Sequence, residues 1–420
     1  MHALGTGASE GERPRRANGA PPAGRTRATA LLIALRFGYA YNWFDIGPAL
    51  PALGGTFHVG PEGWGIVVAA FLVGAGACQV PAGLLARRYP ARAVALTGTG
   101  VLAAGALAGA YAPSFVVLVV ARGIAGAGAG LFFSPAIGLV GRLFGPGERG
   151  LPVGGFSSAF SAGAAAGIVG SALLVPAIGW RGSLAAGAVG LGLLALLSWA
   201  LIPAGAGSIA RPEASARRPS AAWRGPAVLA IGLAFVGFEG ATFATGQFVV
   251  PFGESVRLWP AWLAGAVGSA FVLPSVVGGP VGGVVSERYA NHRTQFVVVT
   301  VAGAAVLAAL PFAGLAAAVA IGALFSFAYG FVYAVMYVIP HAWKDLPPEE
   351  IPLAIGLFNA IQLGGGALVS YAFGALVAAR SYAIGWEFAA AVQVATLVAL
   401  VALPIGRAGR RPAGAAGGPA

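Results

Sequence analysis

Residues 115–140 read FVVLVVARGIAGAGAGLFFSPAIGLV and carry a single charge, Arg122. A helix needs about 20 apolar residues to cross a hydrocarbon core of about 30 Å, so this stretch is long enough to span a bilayer. Eleven more runs of similar length and character surround it. The whole chain of 420 residues is 58% hydrophobic and only 9% charged, with a mean hydropathy of +0.82. A soluble domain carries nearer a quarter of charged residues, so an aqueous globular fold is excluded.

The expected class is an all-α integral membrane protein whose twelve transmembrane helices form two six-helix bundles related by a pseudo-two-fold axis. The spans fall at 28–53, 64–86, 93–111, 115–140, 151–175 and 183–203, then 226–250, 261–285, 294–312, 316–339, 351–377 and 386–405. Residues 1–27 are polar and read as a disordered cytoplasmic leader. Residues 28–203 make the N-terminal bundle, 204–224 a polar, arginine-rich linker, 225–405 the C-terminal bundle, and 406–420 a cytoplasmic tail.

Arginine and lysine stay on the cytoplasmic side of a membrane, so their count over alternate loops gives the orientation. Twenty of the 25 lie on segments that are inner if the N-terminus is inside, three (Arg181, Arg257, Arg380) on outer loops, and two (Arg36, Arg122) within spans. Both termini are therefore expected in the cytoplasm, with the protein in the plasma membrane. The net charge of +12 reflects this distribution rather than a basic face for nucleic acid.

The halves also read as copies offset by 200 residues. Pro51 matches Pro251, Gly83 with Arg88-Tyr89 matches Gly283 with Arg288-Tyr289, and Leu151-Pro152-Val153 matches Ile351-Pro352-Leu353. Three separate places sharing one offset mark a parallel internal repeat.

The loop from Gly83 to Arg92, GLLARRYPAR, resembles the G-x-L-A-D-R-x-G-R-K signature of the major facilitator superfamily. Arg87 stands where that signature has an acid and Pro90 where it has a glycine; the second copy keeps an acid, Glu287, between Gly283 and Arg288. Arg122-Gly123-Ile124-Ala125-Gly126-Ala127-Gly128 is similar to the family's R-x-x-x-G-x-G motif. Gly154, Gly163 and Gly167 have the spacing of its antiporter motif, with Ile168 in place of the final proline. The resemblance covers residues 28–405. It implies alternating access around a midplane site lined by spans 1, 4, 7 and 10. It assigns conformational roles to Gly83, Arg88, Arg122, Gly126, Gly283, Glu287 and Arg288.

On those spans an ionisable or polar residue is a candidate for substrate or ion handling, because burying it in lipid is costly. Arg36 shares a helical face with Tyr39, Trp43 and Gly47, while Asp45 falls on the opposite side and reads as an outer-end structural residue. The offset pairs Glu239 with Tyr39, which puts Glu239 and Arg36 at similar depth. Tyr329, Tyr333 and Tyr337 form an i, i+4, i+8 stripe on span 10, with His341 beyond it. The substrate site is thus expected from Arg36, Tyr39, Trp43, Arg122, Glu239, Tyr329, Tyr333 and Tyr337, with Glu239 coupling transport to protons. Asn359 and Gln362 read as interhelical hydrogen-bond groups.

No P-loop is present, Gly190-x-Gly192-x-x-Ala195 sits inside an apolar run with no strand before it, and four scattered histidines with one cysteine offer no metal cluster. The expected function is secondary active transport of a small solute by a monomer in the lipid bilayer, without enzyme activity, cofactor, metal or nucleic acid. Two arginines within spans favour a small anion. The aromatic lining and the partial glycine motif favour a hydrophobic drug or metabolite exported against protons. A membrane-embedded enzyme or a sensor is the reading from another class.

Overall fold

The computed structural model describes residues 22–145, 148, 150–206, 224–289, 291–339 and 350–402. Most of the leader, the linker and the tail, together with Lys344 and His341, lie outside these.

The chain is helical throughout the described residues: α1 (Pro22–Phe44), α2 (Ile46–Phe57), α3 (Pro61–Arg88), α4 (Ala91–Ala110), α5 (Phe115–Leu143), α6 (Gly150–Leu201) and α7 (Pro226–Ser255) come first. They are followed by α8 (Ala261–Ala270), α9 (Ser275–Arg288), α10 (His292–Ala308), α11 (Leu315–Val338), α12 (Ile351–Ala379), α13 (Tyr382–Thr396) and α14 (Val398–Ala402). Ten of the helical stretches are long and apolar enough to cross a membrane. One of these, α6, has 52 residues, and at about 1.5 Å per residue it reaches roughly twice the span of a bilayer. It turns back at Gly179, whose φ of 74° and ψ of 164° suit glycine alone, and so supplies spans 5 and 6. With α1 and α2 as the first span, the twelve-helix, two-bundle architecture is complete. α1 starts at Pro22, ahead of the expected Ala28, and takes Arg25 and Arg27 into the helix.

Two spans are broken where the sequence pattern reads as continuous, and proline chemistry explains both. α1 and α2 meet at Asp45, just ahead of Pro48, which has no N–H for the carbonyl of Phe44. The neighbouring carbonyls take side-chain donors: Arg122 Nη1 to Asn42 O at 3.3 Å and Gln247 Nε2 to Trp43 O at 2.8 Å. α8 and α9 part around Pro274, and the Ser275 N–H beyond it donates to Ser326 Oγ at 3.0 Å. At the equivalent of Pro274 the first half has Gly74, and α3 runs through unbroken.

The repeat is visible in backbone and packing. His58 and Leu258, at the 200-residue offset, both turn left-handed, with φ of 56° and 55°. Tyr89 N–H donates to Leu85 O at 2.8 Å and Tyr289 N–H to Val285 O at 2.9 Å, ending α3 and α9 identically. Trp43 and Phe243, also at that offset, stack on each other at 5.3 Å and 29°. Two equivalent residues can touch only on the axis relating the halves, so the axis passes between α1 and α7. Being central, α7 is buried on all sides from Gly237 to Gly253.

Around that axis the halves meet along α3 with α12, α6 with α8 and α9, and α2 with α7. Away from the end that carries the α5–α6 and α11–α12 connections, these contacts close tightly. Ser161 Oγ lies 2.7 Å from Ser275 Oγ, and Tyr371 O–H donates to Glu62 Oε1 at 3.1 Å.

Candidate functional site

Below this closure lies a cavity of about 560 Å³ between the two halves. It reaches Gly150, the first residue of α6, and Tyr337 near the end of α11, so it extends to the end bearing those connections.

The N-terminal wall is aromatic around one cation. The Arg36 guanidinium sits over the rings of Phe160 (4.5 Å), Tyr39 and Phe133 (4.6 Å each) and Phe156 (5.5 Å). Among the described residues no carboxylate lies within ion-pair distance, and Nε and Nη1 have no hydrogen-bond partner. Ring faces stabilise a cation but leave its charge uncompensated, so the guanidinium projects positive potential into the cavity. Tyr39 and Trp43 extend the wall at successive turns of α1, their rings 5.2 Å apart.

The C-terminal wall is a hydrogen-bonded ladder. Tyr329 O–H donates to Glu239 Oε2 at 2.8 Å, and the Tyr333 and Tyr337 hydroxyls lie 2.9 Å apart. Tyr337 O–H donates to Asn359 Oδ1 at 2.9 Å, as does Gln362 Nε2 at 2.7 Å. The i, i+4 spacing puts the three phenols on one face of α11, and that face looks into the cavity. Arg36 and Glu239 thus occupy opposite walls of one cavity, each held by its own half.

Seven of the eight expected substrate residues line this cavity: Arg36, Tyr39, Trp43, Glu239, Tyr329, Tyr333 and Tyr337. Arg122 does not. It lies behind the wall, 3% exposed, with its guanidinium 4.3 Å from the Phe71 ring and Nη1 spent on the Asn42 carbonyl freed at the α1–α2 break. Asp45 does not line the cavity either. It is 2% exposed at the helix break, with Oδ1 unpartnered.

Gln79, Phe133, Ser157, Phe160, Phe243 and Ser275 line the cavity too and were not singled out from the sequence. For Phe243 the signal was there, since it stands 200 residues from Trp43. Gln79 also carried one, a polar side chain within an apolar span, but span 2 was not among the expected cavity helices; for the residues on α6 and α9 there was none, because any small or aromatic residue of an apolar span reads alike.

The motif residues fall into two groups. A methyl added at Gly126 would collide with the Phe71 carbonyl on α3, and one at Gly128 with the Leu102 amide on α4, so α5 wedges between those helices through its glycines. Gly163 and Gly167 likewise abut the carbonyls of Phe37 and Tyr41 on α1. By contrast Gly83 has only Leu353 nearby, at 3.6 Å, and Gly283 has open space. Arg88, Glu287 and Arg288 are exposed at helix ends. Among the described residues no group of histidine, cysteine and acidic side chains could hold a metal ion.

Comparison with known proteins agrees with this architecture. The chain shares 32% identity over 154 residues with the multidrug resistance protein Stp of Mycobacterium tuberculosis, a match covering 36% of this chain and 29% of that one. The fold is similar to that of a bacterial homolog to human lysosomal transporter Spinster in an inward-facing and unoccupied conformation (TM-score 0.69, 16% identity, 91% of this chain and 96% of that one). It is equally similar to a D-xylose–proton symporter (TM-score 0.70, 15% identity, 91% and 98%). The sequence profile of the Major Facilitator Superfamily matches residues 32–368, and the chain belongs to that family.

Proposed function

We propose that this membrane transporter carries a small anionic solute by alternating access, coupled to protons at Glu239. The observation that carries the reading is the uncompensated Arg36 guanidinium in a cavity enclosed by both halves. A buried charge without a partner is costly, and an anion arriving from the open end relieves that cost while it is bound. Glu239 faces it from the other half and accepts a hydrogen bond from Tyr329. Rocking of the halves alters what faces the carboxyl, and with it the proton's affinity.

The arginine count puts the open end in the cytoplasm, with both termini, and the plasma membrane as the location. The chain works as a monomer, since the cavity is built from one chain.

The test is a thermal-shift panel of carboxylates, phosphates, nitrate, sugars and lipophilic cations on the purified chain, because a ligand that binds only the folded state raises its apparent stability. Anions should stabilise the parent and leave Arg36→Gln unmoved. A response to lipophilic cations alone would sink the anion reading. It would favour the second, export of a hydrophobic drug or metabolite, which has support from the partial identity with Stp and the aromatic wall.

A further inference from the structure

A second cavity, about 1000 Å³ in volume, lies on the other face of α1, among α1, both legs of α6 and α9. Its lining is almost wholly apolar: Ile33, Phe37, Ala162, Gly190 and Leu194 are typical. Phe37 is 40% exposed and Gly190 is exposed too, so the groove opens on the protein's flank, which in a membrane is lipid. Two residues, Ser158 of α6 and Val276 of α9, line this groove and the central cavity alike. The two spaces are therefore separated by nothing thicker than the seam between α6 and α9.

That seam is latched on one side only. The Ser161–Ser275 contact at 2.7 Å closes it just beyond Ser158, and from there α6 packs on α8. Toward the open end Gly154 and Ser157 of α6, and Gly279 and Pro280 of α9, all line the central cavity, so the helices diverge there. The gap thus joins a greasy lateral groove to a chamber whose nearest wall holds Arg36, 6% exposed and without an anionic partner.

Resting on the transport reading above, we infer that the gap between α6 and α9 is a lateral portal from the bilayer, and that the solute is a single-tailed amphiphilic anion. Its tail lies in the apolar groove and its head passes Ser158 and Val276 to reach Arg36. An apolar groove alone would take any lipid chain. The cation behind the portal selects an acidic head, and the small side chains at the seam admit one tail.

The experiment measures binding of radiolabelled octanesulfonate and butanesulfonate to the full chain in lipid nanodiscs, with empty nanodiscs subtracted. Sulfonates stay charged at all working pH values, so only chain length differs. Octanesulfonate should bind at least about tenfold tighter, since its longer tail buries more apolar surface in the groove. Gly190→Phe, in the groove where a Cβ meets open space, and Ser158→Phe, at the seam, should each remove that chain-length advantage. Gly190→Phe, which lies outside the central cavity, should keep the parental affinity for butanesulfonate, which also shows that it folds. If the advantage survives in both variants, the tail lies in the central chamber and the portal is wrong, while the anion site stands. If the parent binds neither sulfonate, the anion site fails, and the amphiphile proposal with it. Equal binding of octyltrimethylammonium overturns the selection by Arg36.

Discussion

Glu239 and Arg36 are the two side chains on which the proposed transport chemistry turns, and they make separable predictions. The Glu239 carboxylate accepts from Tyr329 at 2.8 Å. Glutamine at this position keeps an acceptor for that hydroxyl while holding no titratable proton. Glu239→Gln should therefore abolish accumulation driven by a pH gradient and leave counterflow of solute near the parental rate. Accumulation at the parental rate in proteoliposomes would make Glu239 a structural residue. Arg122 shows what sequence alone does not distinguish: on paper it and Arg36 are both single arginines in apolar spans. What separates them is the break at Asp45, which exposes the Asn42 carbonyl to Arg122. No residue count reveals where a loosened carbonyl will point. Arg122→Gln should accordingly lower stability by about 1–3 kcal/mol, the usual range when a buried hydrogen-bond partner is lost. Anion affinity per folded molecule should hardly change, and thermal unfolding beside ligand titration distinguishes this from loss of a substrate contact.

At the scale of helices, the twelve spans were legible because each needs a long apolar run, and a run is a property of sequence alone. Breaks were less legible. Pro81 sits inside α3 and Pro280 inside α9 without ending either helix, whereas Pro274 separates α8 from α9. The difference lies in tertiary partners, such as Ser326 accepting from the Ser275 N–H, which composition does not show. The glycine motifs were legible as packing but not as to which helix they meet. Structure gives the answer for α5, where Gly126 faces α3 and Gly128 faces α4. Both approaches are backbone to backbone, so no side chain can swing aside to admit a methyl. Gly126→Ala should then cost about 1–3 kcal/mol through overpacking and lower the thermal midpoint. Gly83→Ala, with its nearest neighbour at 3.6 Å, should be neutral or slightly stabilising, and similar midpoints for the two variants would refute the wedge.

For the whole molecule, the twofold relation between halves turns a list of contacts into a mechanism. Trp43 against Phe243 marks the axis, and the halves are closed on one side of it and parted on the other. Alternating access requires that the closed contacts open and the parted ones close, so any closed contact between halves must break once in each cycle. The Ser161–Ser275 pair is such a contact, joining α6 of one half to α9 of the other at 2.7 Å at the edge of the cavity. Cys78 is the only cysteine of the chain, which makes a clean background simple to build. In Cys78→Ala, the double substitution Ser161→Cys with Ser275→Cys should form a cross-link under mild oxidation, since the side chains already touch. Oxidation should then stop transport in proteoliposomes and reductant should restore it, while each single variant stays active under both conditions. Anion binding from the open end should persist in the cross-linked protein, because the cavity below the latch is the one seen here. Transport that continues with the cross-link in place would mean that these two helices never separate, and the solute would then have to cross without the halves rocking about this axis.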